Sequence, residues 1–320
     1  MPETLTSRLE QWMILAVLAF TACDERNSHR RLSPAATSEW QPVRILSAKT
    51  SFRMIRGSGP NDIWALGSAE NADRTWTGSS FHFDGVAWRP ANVPARATEA
   101  ILPLAPNDVW AVGMYGTVAH FDGTSWKAWK IERIDYDLLD IAGHHDDLYV
   151  ASAGHELLHF DGTRWQSFSR SEFGTTGIYH VATLPSGEVV VPLNTRFEMS
   201  GVTVLAGGAW SSHEIGPGGV VSIAGSAADD LWAVGAFKQA YHFDGKAWTR
   251  FALAGSRVIA AYATSPTEAY LVGDNGVIQR WDGTVWKSTP GATDGALWTV
   301  YAPPGMRPLV GGDDGMFQLR

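Results

Sequence analysis

From about residue 39 onward the chain is a succession of short runs rich in β-branched and aromatic residues, each closed by Gly, Pro, Asn or Asp, and no long stretch carries the period of an amphipathic helix. The pattern predicts strands joined by tight turns. Its wording recurs. Gly59-Pro60-Asn61-Asp62-Ile63-Trp64-Ala65-Leu66-Gly67, followed by Phe81-His82-Phe83-Asp84-Gly85-Val86-Ala87-Trp88, returns as Ala105-Pro106-Asn107-Asp108-Val109-Trp110-Ala111-Val112-Gly113 and then Val118-Ala119-His120-Phe121-Asp122-Gly123-Thr124-Ser125-Trp126. Each repeat reads as four strands.

The firmest part of the repeat is Asp-Gly-x-x-Trp. It occurs as Asp84, Gly85 and Trp88; Asp122, Gly123 and Trp126; Asp161, Gly162 and Trp165; Asp244, Gly245 and Trp248; and Asp282, Gly283 and Trp286, with a degenerate copy ending at Trp210. Successive Trp residues are 38 to 45 positions apart, the spacing of one propeller blade per repeat. An Asp-Gly pair between two strand-like runs predicts a two-residue type I′ hairpin, because Gly reaches positive φ without steric cost. In that register Phe83 opposes Val86, and Phe83 and Trp88 meet diagonally on one face. The same contact is expected for Phe121 with Trp126, Phe160 with Trp165, Phe243 with Trp248 and Trp281 with Trp286.

First strands fall near 53–56, 100–104, 138–142, 179–183, 221–224, 260–263 and 298–301, which gives seven blades. The last repeat stops before any Asp-Gly-x-x-Trp, and the segment around Trp40 looks like a fourth strand with no blade before it. Joining the two closes the ring and satisfies an otherwise open sheet edge. The predicted fold is therefore all-β: a seven-bladed β-propeller of four-stranded blades over 38–320, in which an N-terminal strand completes the last blade.

On these motifs the chain resembles bacterial Asp-box or BNR-like β-propeller repeats over about 39–320, although the usual box has one more residue between Asp and Gly. Wording such as Gly57-Ser58-Gly59-Pro60-Asn61-Asp62-Ile63-Trp64-Ala65 also resembles propeller lipoproteins of environmental bacteria, a group without a common activity. The Asp-box resemblance implies, as the competing class, a sialidase-like, carbohydrate-active hydrolase.

The segment 12–22 is an apolar run too short to span a bilayer but suited to the core of a signal peptide. It ends at Cys23, the single cysteine. Thr21 and Ala22 before that residue resemble a lipobox, which implies a signal peptide at 1–22 and an acylated Cys23, palmitate being among the expected fatty chains. Residues 24–37 are polar and read as a tether. The expected location is the bacterial cell envelope, on the periplasmic or cell-surface side, with the membrane touched only through the lipid anchor. With a single thiol, no intramolecular disulfide forms. The formal charge of −8, which becomes −7 once Glu3, Arg8 and Glu10 leave with the signal peptide, argues against nonspecific nucleic-acid binding.

Candidate chemistry is sparse. His155-Glu156-Leu157-Leu158-His159 matches a zinc-protease pattern that requires a helix, yet His159 holds the repeat position of His82, His120 and His242, so the segment reads as a strand. Those four His are explained as repeat residues that pack or hydrogen-bond between blades. His144-His145-Asp146-Asp147 aligns with Gly59-Pro60-Asn61-Asp62, a turn between first and second strands. Trp64, Trp110 and Trp232, with Tyr149 and Tyr270, form a recurring core stripe. A sialidase-like site would draw on Arg53, Arg56, Arg74, Arg196 and Arg257 with Glu132, Asp135, Asp137 and Asp140, but no spacing selects among them. Neither a nucleophile elbow nor a nucleotide fingerprint is present. No metal, cofactor or catalytic residue is assigned.

The repeat is broken on one side. Insertions at 70–80, with Trp76, and at 193–201, with Phe197, join single aromatics Tyr115, Tyr136, Phe173 and Phe237 in the loops between second and third strands, or between a fourth strand and the next first strand. Irregular loops on one face of a repeat array mark its binding side. The sequence thus predicts a monomeric ring that acts as a recognition or scaffold module for an envelope protein or a glycan.

Overall fold

Trp40–Val43 forms β1 and pairs antiparallel with β28 (Gly315–Leu319), Trp40 lying opposite Leu319. The Arg320 amide then donates to the Glu39 carbonyl at 2.7 Å. The first described strand thereby becomes the outer strand of the last sheet, whose order is β1-β28-β27-β26, with β26 at Leu297–Tyr301 and β27 at Leu309–Gly312. The computed structural model describes residues 39–45, 49–94, 98–168, 178–194, 199–217, 219–235 and 238–320. Cys23 and the segments expected to be a signal peptide and a tether lie outside these residues.

The other six sheets follow chain order. Blade one is β2 (Thr50–Gly59), β3 (Asp62–Glu70), β4 (Trp76–Phe83) and β5 (Trp88–Ala91); blade two is β6 (Thr98–Ala105), β7 (Asp108–Gly113), β8 (Thr117–Phe121) and β9 (Trp126–Lys130). Blade three comprises β10 (Leu138–His144), β11 (Asp147–Ser152), β12 (Leu157–Phe160) and β13 (Trp165–Phe168), and blade four β14 (Ala182–Thr183), β15 (Val189–Asn194), β16 (Met199–Ala206) and β17 (Ala209–Pro217). Blade five is β18 (Val220–Ala227), β19 (Asp230–Gly235), β20 (Gln239–Phe243) and β21 (Trp248–Ala252); blade six is β22 (Val258–Ser265), β23 (Glu268–Gly273), β24 (Ile278–Trp281) and β25 (Trp286–Thr289). The chain is a seven-bladed β-propeller.

Neighbouring blades meet through their inner strands. Side chains one register position past the start of a first strand accept from the backbone of the next blade: Thr299 Oγ1 from the Ile55 amide at 3.1 Å, Asp140 Oδ2 from Val181 at 3.2 Å, and Ser222 Oγ from Ala261 at 3.4 Å. These bonds satisfy amides that have no ladder partner on the channel side. Apolar layers fill the space between sheets. Phe52, Ile55, Ile63 and Phe81 of blade one pack with Tyr301, Leu309 and Met316 of blade seven, so the closing seam is as apolar as any other. Each such buried Leu, Ile or Phe contributes about 1.5–3 kcal/mol.

The aromatic repeat knits the blades together. Phe83 sits directly opposite Trp88, with ring centroids 5.5 Å apart, and the four equivalent pairs have the same register and lie 5.1–5.5 Å apart. The expected diagonal contact is therefore corrected to a direct cross-strand pair. Trp64 of blade one meets Trp126 of blade two edge to face with centroids 5.7 Å apart, and Trp232 of blade five meets Trp286 of blade six in the same way at 4.8 Å. Each second-strand Trp thus leans on the repeat pair of the next blade.

Candidate functional site

The two faces of the ring differ in chemistry because they are built from different connections. On one face lie the turns between first and second and between third and fourth strands. There the Asp-Gly pair forms a four-residue loop, not the two-residue turn expected from sequence. Asp84 Oδ1 accepts from the amides of Val86 at 3.0 Å and Ala87 at 2.9 Å, and Asp122, Asp161, Asp244 and Asp282 repeat this geometry. A side-chain acceptor facing two amides organises the loop without positive φ at Asp. The amide bonds from Ala87 and Val86, with the Arg89 guanidinium, hold the Asp84 carboxyl down at about 2. Gly85 has φ +87°, and a Cβ there would stand 2.8 Å from Asn61 Cβ in the neighbouring turn, so glycine is needed twice over. The type I′ geometry appears at the degenerate copy instead, where Gly207 (φ +58°) and Gly208 (φ +80°) link the paired residues Ala206 and Ala209.

Beneath these turns runs a polar network whose carboxylates are buried at Asp62 and Asp230. Asp62 accepts from His82 Nε2 at 2.7 Å, Ser58 Oγ at 2.6 Å and Trp64 Nε1 at 3.0 Å, while His82 stacks on Trp64 at 4.2 Å. Asp108, Trp110 and His120 repeat the arrangement, and Asp147 with His159 and Asp230 with His242 repeat the carboxylate–imidazole contact, His159 stacked on Tyr149 and His242 on Trp232. Blade six substitutes Glu268, Tyr270 and Arg280. The repeated His residues therefore hydrogen-bond within a blade rather than between blades, although His242 also packs against Trp281 of blade six at 6.4 Å. Burial raises the Asp62 carboxyl, but the bonds from His82, Ser58 and Trp64 outweigh it and set it below the ordinary carboxylate range; Asp230 behaves in the same way. His159 lies in β12 on Asp147, and His155 in the preceding turn at φ +62°, so the His-Glu-x-x-His segment is not helical. Among the described residues no group of His, Cys, Asp and Glu is arranged to hold a metal ion.

The other face carries the second-to-third and fourth-to-first connections. Tyr115 stands in a one-turn 3₁₀ segment with φ +56°, is 54% exposed, and donates its amide to Asp137 Oδ1 at 3.0 Å. Tyr136 is half-buried and donates its hydroxyl to Glu156, and burial together with that carboxylate raises its phenol well above the usual value. Tyr136 thus braces two loops rather than standing open. Trp76 begins β4 opposite Glu70, which extends blade one outward. Phe173, Phe197 and Phe237 lie outside the described residues. The Arg residues considered for an anionic substrate do not converge. Arg53 pairs with Glu99 at 3.1 Å, Arg56 with Asp140 at 2.8 Å and Arg257 with Asp274 at 3.0 Å; Arg74 is exposed in the blade-one loop, and Arg196 lies outside the described residues.

Two exposed apolar residues on this face escaped the sequence reading, Tyr179 (38% exposed) and Val221 (42%). Each directly follows a buried apolar residue, Ile178 or Val220, and such doubling breaks strand alternation.

Comparison with known proteins supplies a fold and one partial relative. The chain resembles the structure of YCF48 from Cyanidioschyzon merolae, with a TM-score of 0.66 and 14% identity over 88% of this chain and 98% of that one. It also resembles a structure of YCF48 bound to D1 peptide, with a TM-score of 0.68 and 15% identity over 88% and 97%. At such identities the likeness is one of fold. A stretch of 141 residues, 42% of the chain, is 30% identical to the Immune protein Tsi7 of Pseudomonas aeruginosa and covers 44% of that protein. The chain thus spans less than half the length of that curated relative. No protein-family model matches the sequence.

Proposed function

We propose that the chain is a non-catalytic recognition module, a propeller that binds another protein on the face of the irregular loops and is held at the cell envelope by an acylated Cys23. The observation that carries this reading is the contrast between the faces. The turn face repeats one hydrogen-bonded loop in five of the seven blades, whereas the opposite face varies in length and chemistry and presents Tyr115 to solvent. A surface that specifies one partner needs such individuality, and exposed aromatics are enriched where binding energy concentrates. A protein partner rather than a glycan is supported by the structural likeness to a propeller bound to a peptide and by the partial relation to an immune protein. The anchor is supported by the apolar run that ends at Cys23.

One experiment addresses both parts. Wild type, Cys23→Ser and Tyr115→Ala are expressed in a bacterial host with lipoprotein processing, partitioned into detergent, crosslinked in the native envelope and recovered. Wild type should enter the detergent phase and Cys23→Ser should not. Tyr115→Ala should partition and melt like wild type yet recover less of the crosslinked protein. Identical partitioning of wild type and Cys23→Ser refutes the anchor, and undiminished capture by Tyr115→Ala counts against the face.

A further inference from the structure

Six of the seven first strands skip one residue against their second strand at the same place. The bulged residues are Arg53, Glu99, Leu139, Val221, Ile259 and Trp298. In blade four Tyr179 holds the equivalent position, three residues before Ala182, which pairs with Val190 as Ala224 pairs with Trp232 in blade five. A bulge leaves the extra residue out of the ladder and re-aims its side chain. The burial pattern follows: Phe52, Leu138, Ile178, Val220, Val258 and Leu297, each one residue earlier, are buried, while none of the bulged residues is. First strands of neighbouring blades touch one another at six of the seven seams and form the inner wall of the ring. A side chain turned out at their starting ends therefore borders the mouth of the central channel, on the irregular-loop face.

The mouth is two-sided. Blades one and two contribute the Arg53–Glu99 ion pair, and burial, with Asp137 nearby, raises the Glu99 carboxyl. The five consecutive blades three to seven contribute Leu139, Tyr179, Val221, Ile259 and Trp298, an unbroken apolar arc. Three residues further along β2, about 10 Å deeper at strand rise, Arg56 crosses from blade one to blade three. It donates there to the Ile141 carbonyl at 2.6 Å and the Asp140 carboxylate at 2.8 Å. The mouth is thus an apolar cup over a neutralised floor. Of the cations on this face Lys130 pairs with Asp135, Arg257 with Asp274 and Arg53 with Glu99, while Lys49, Arg74, Arg133 and Lys238 are exposed with no ion pair among the described residues. Asp294, Asp313 and Asp314 have no cationic partner among the described residues and lie together beside Trp298, whose Nε1 donates to Asp313 at 2.7 Å, so this sector of the rim carries excess negative charge.

Resting on the reading that this face binds protein, we propose that the channel mouth receives a loop of the partner that presents an apolar side chain flanked by Lys or Arg. The apolar tip covers the arc from Leu139 to Trp298, and the flanking cations meet the unmatched rim carboxylates.

The test uses random twelve-residue peptides displayed on phage, selected against the whole protein, with the best sequences then synthesised. Selected sequences should place an apolar residue beside Lys or Arg, bind more weakly as salt is raised, and lose at least about tenfold in affinity, roughly the effect of one lost hot-spot contact, on Val221→Glu and on Ile259→Glu. Melting curves establish that both variants fold. Selection of acidic sequences, of no sequence at all, or of peptides indifferent to both substitutions overturns the proposal. Peptides that are weakened by Tyr115→Ala but not by either mouth variant would leave the face in place and remove the mouth. Peptides weakened only by Lys246→Glu on the turn face would remove both.

Discussion

Asp62 is nearly sealed from solvent, yet its carboxylate is ionised because three donors, on His82, Ser58 and Trp64, converge on it. A carboxyl lowered in the folded state stabilises the fold fully above its unfolded value near 3.8, and that contribution is lost as pH falls through the lower folded value. Asp62→Asn removes the charge but keeps the shape. It should cost about 1.5–3 kcal/mol at neutral pH, the worth of hydrogen bonds to a charged group, and should flatten the acid limb of the melting-temperature profile. Thermal melts of both proteins down to acid pH check this, and parallel limbs would contradict it. Asp62 and His82 are visible in the sequence only as recurring letters. Nothing in their spacing says that they bond each other, since the contact forms across β3 and β4 once the register is set. The Asp-Gly turns teach the same lesson. The residues were legible, but the loop length depends on whether the Asp side chain or a second positive-φ residue organises the turn, and at Asp84 the side chain does so.

At the scale of strands, the repeat Trp sets the register, and this made most blades readable. The Trp at the first residue of β5, β9, β13, β21 and β25, and at the second of β17, lies opposite the last or near-last residue of the preceding strand. Trp40 plays this part in β1, only 4% exposed and packed with Val272, Ile278 and Phe317. Trp40→Ala should destabilise by about 3–5 kcal/mol, as truncation of a buried Trp does, and removal of 39–43 should lower the melting temperature further. An unchanged melting temperature in the deletion would mean that the seam holds without β1. The bulges were less legible. Their trace is the doubled apolar pair at the start of a first strand, as in Val220-Val221 or Val258-Ile259, and in isolation such a pair looks like an ordinary buried run. In blades one and two the bulged residues are Arg53 and Glu99, and nothing in the sequence pairs them until their strands are placed at the channel.

For the whole molecule, the contrast between repeated turns on one face and irregular loops on the other underlies the proposal that recognition lies on the loop side. The lysines divide usefully. Lys49, Lys130 and Lys238 are exposed at strand ends on the irregular-loop face, and Lys127, Lys246 and Lys287 are exposed beside the Asp turns on the opposite face. The most direct test is therefore lysine-reactive crosslinking of the full chain to its captured partner, with the linked residues identified by mass spectrometry. Crosslinks concentrated at Lys49, Lys130 and Lys238 are the predicted result; crosslinks concentrated at Lys127, Lys246 and Lys287 would contradict it and place the partner on the turn face.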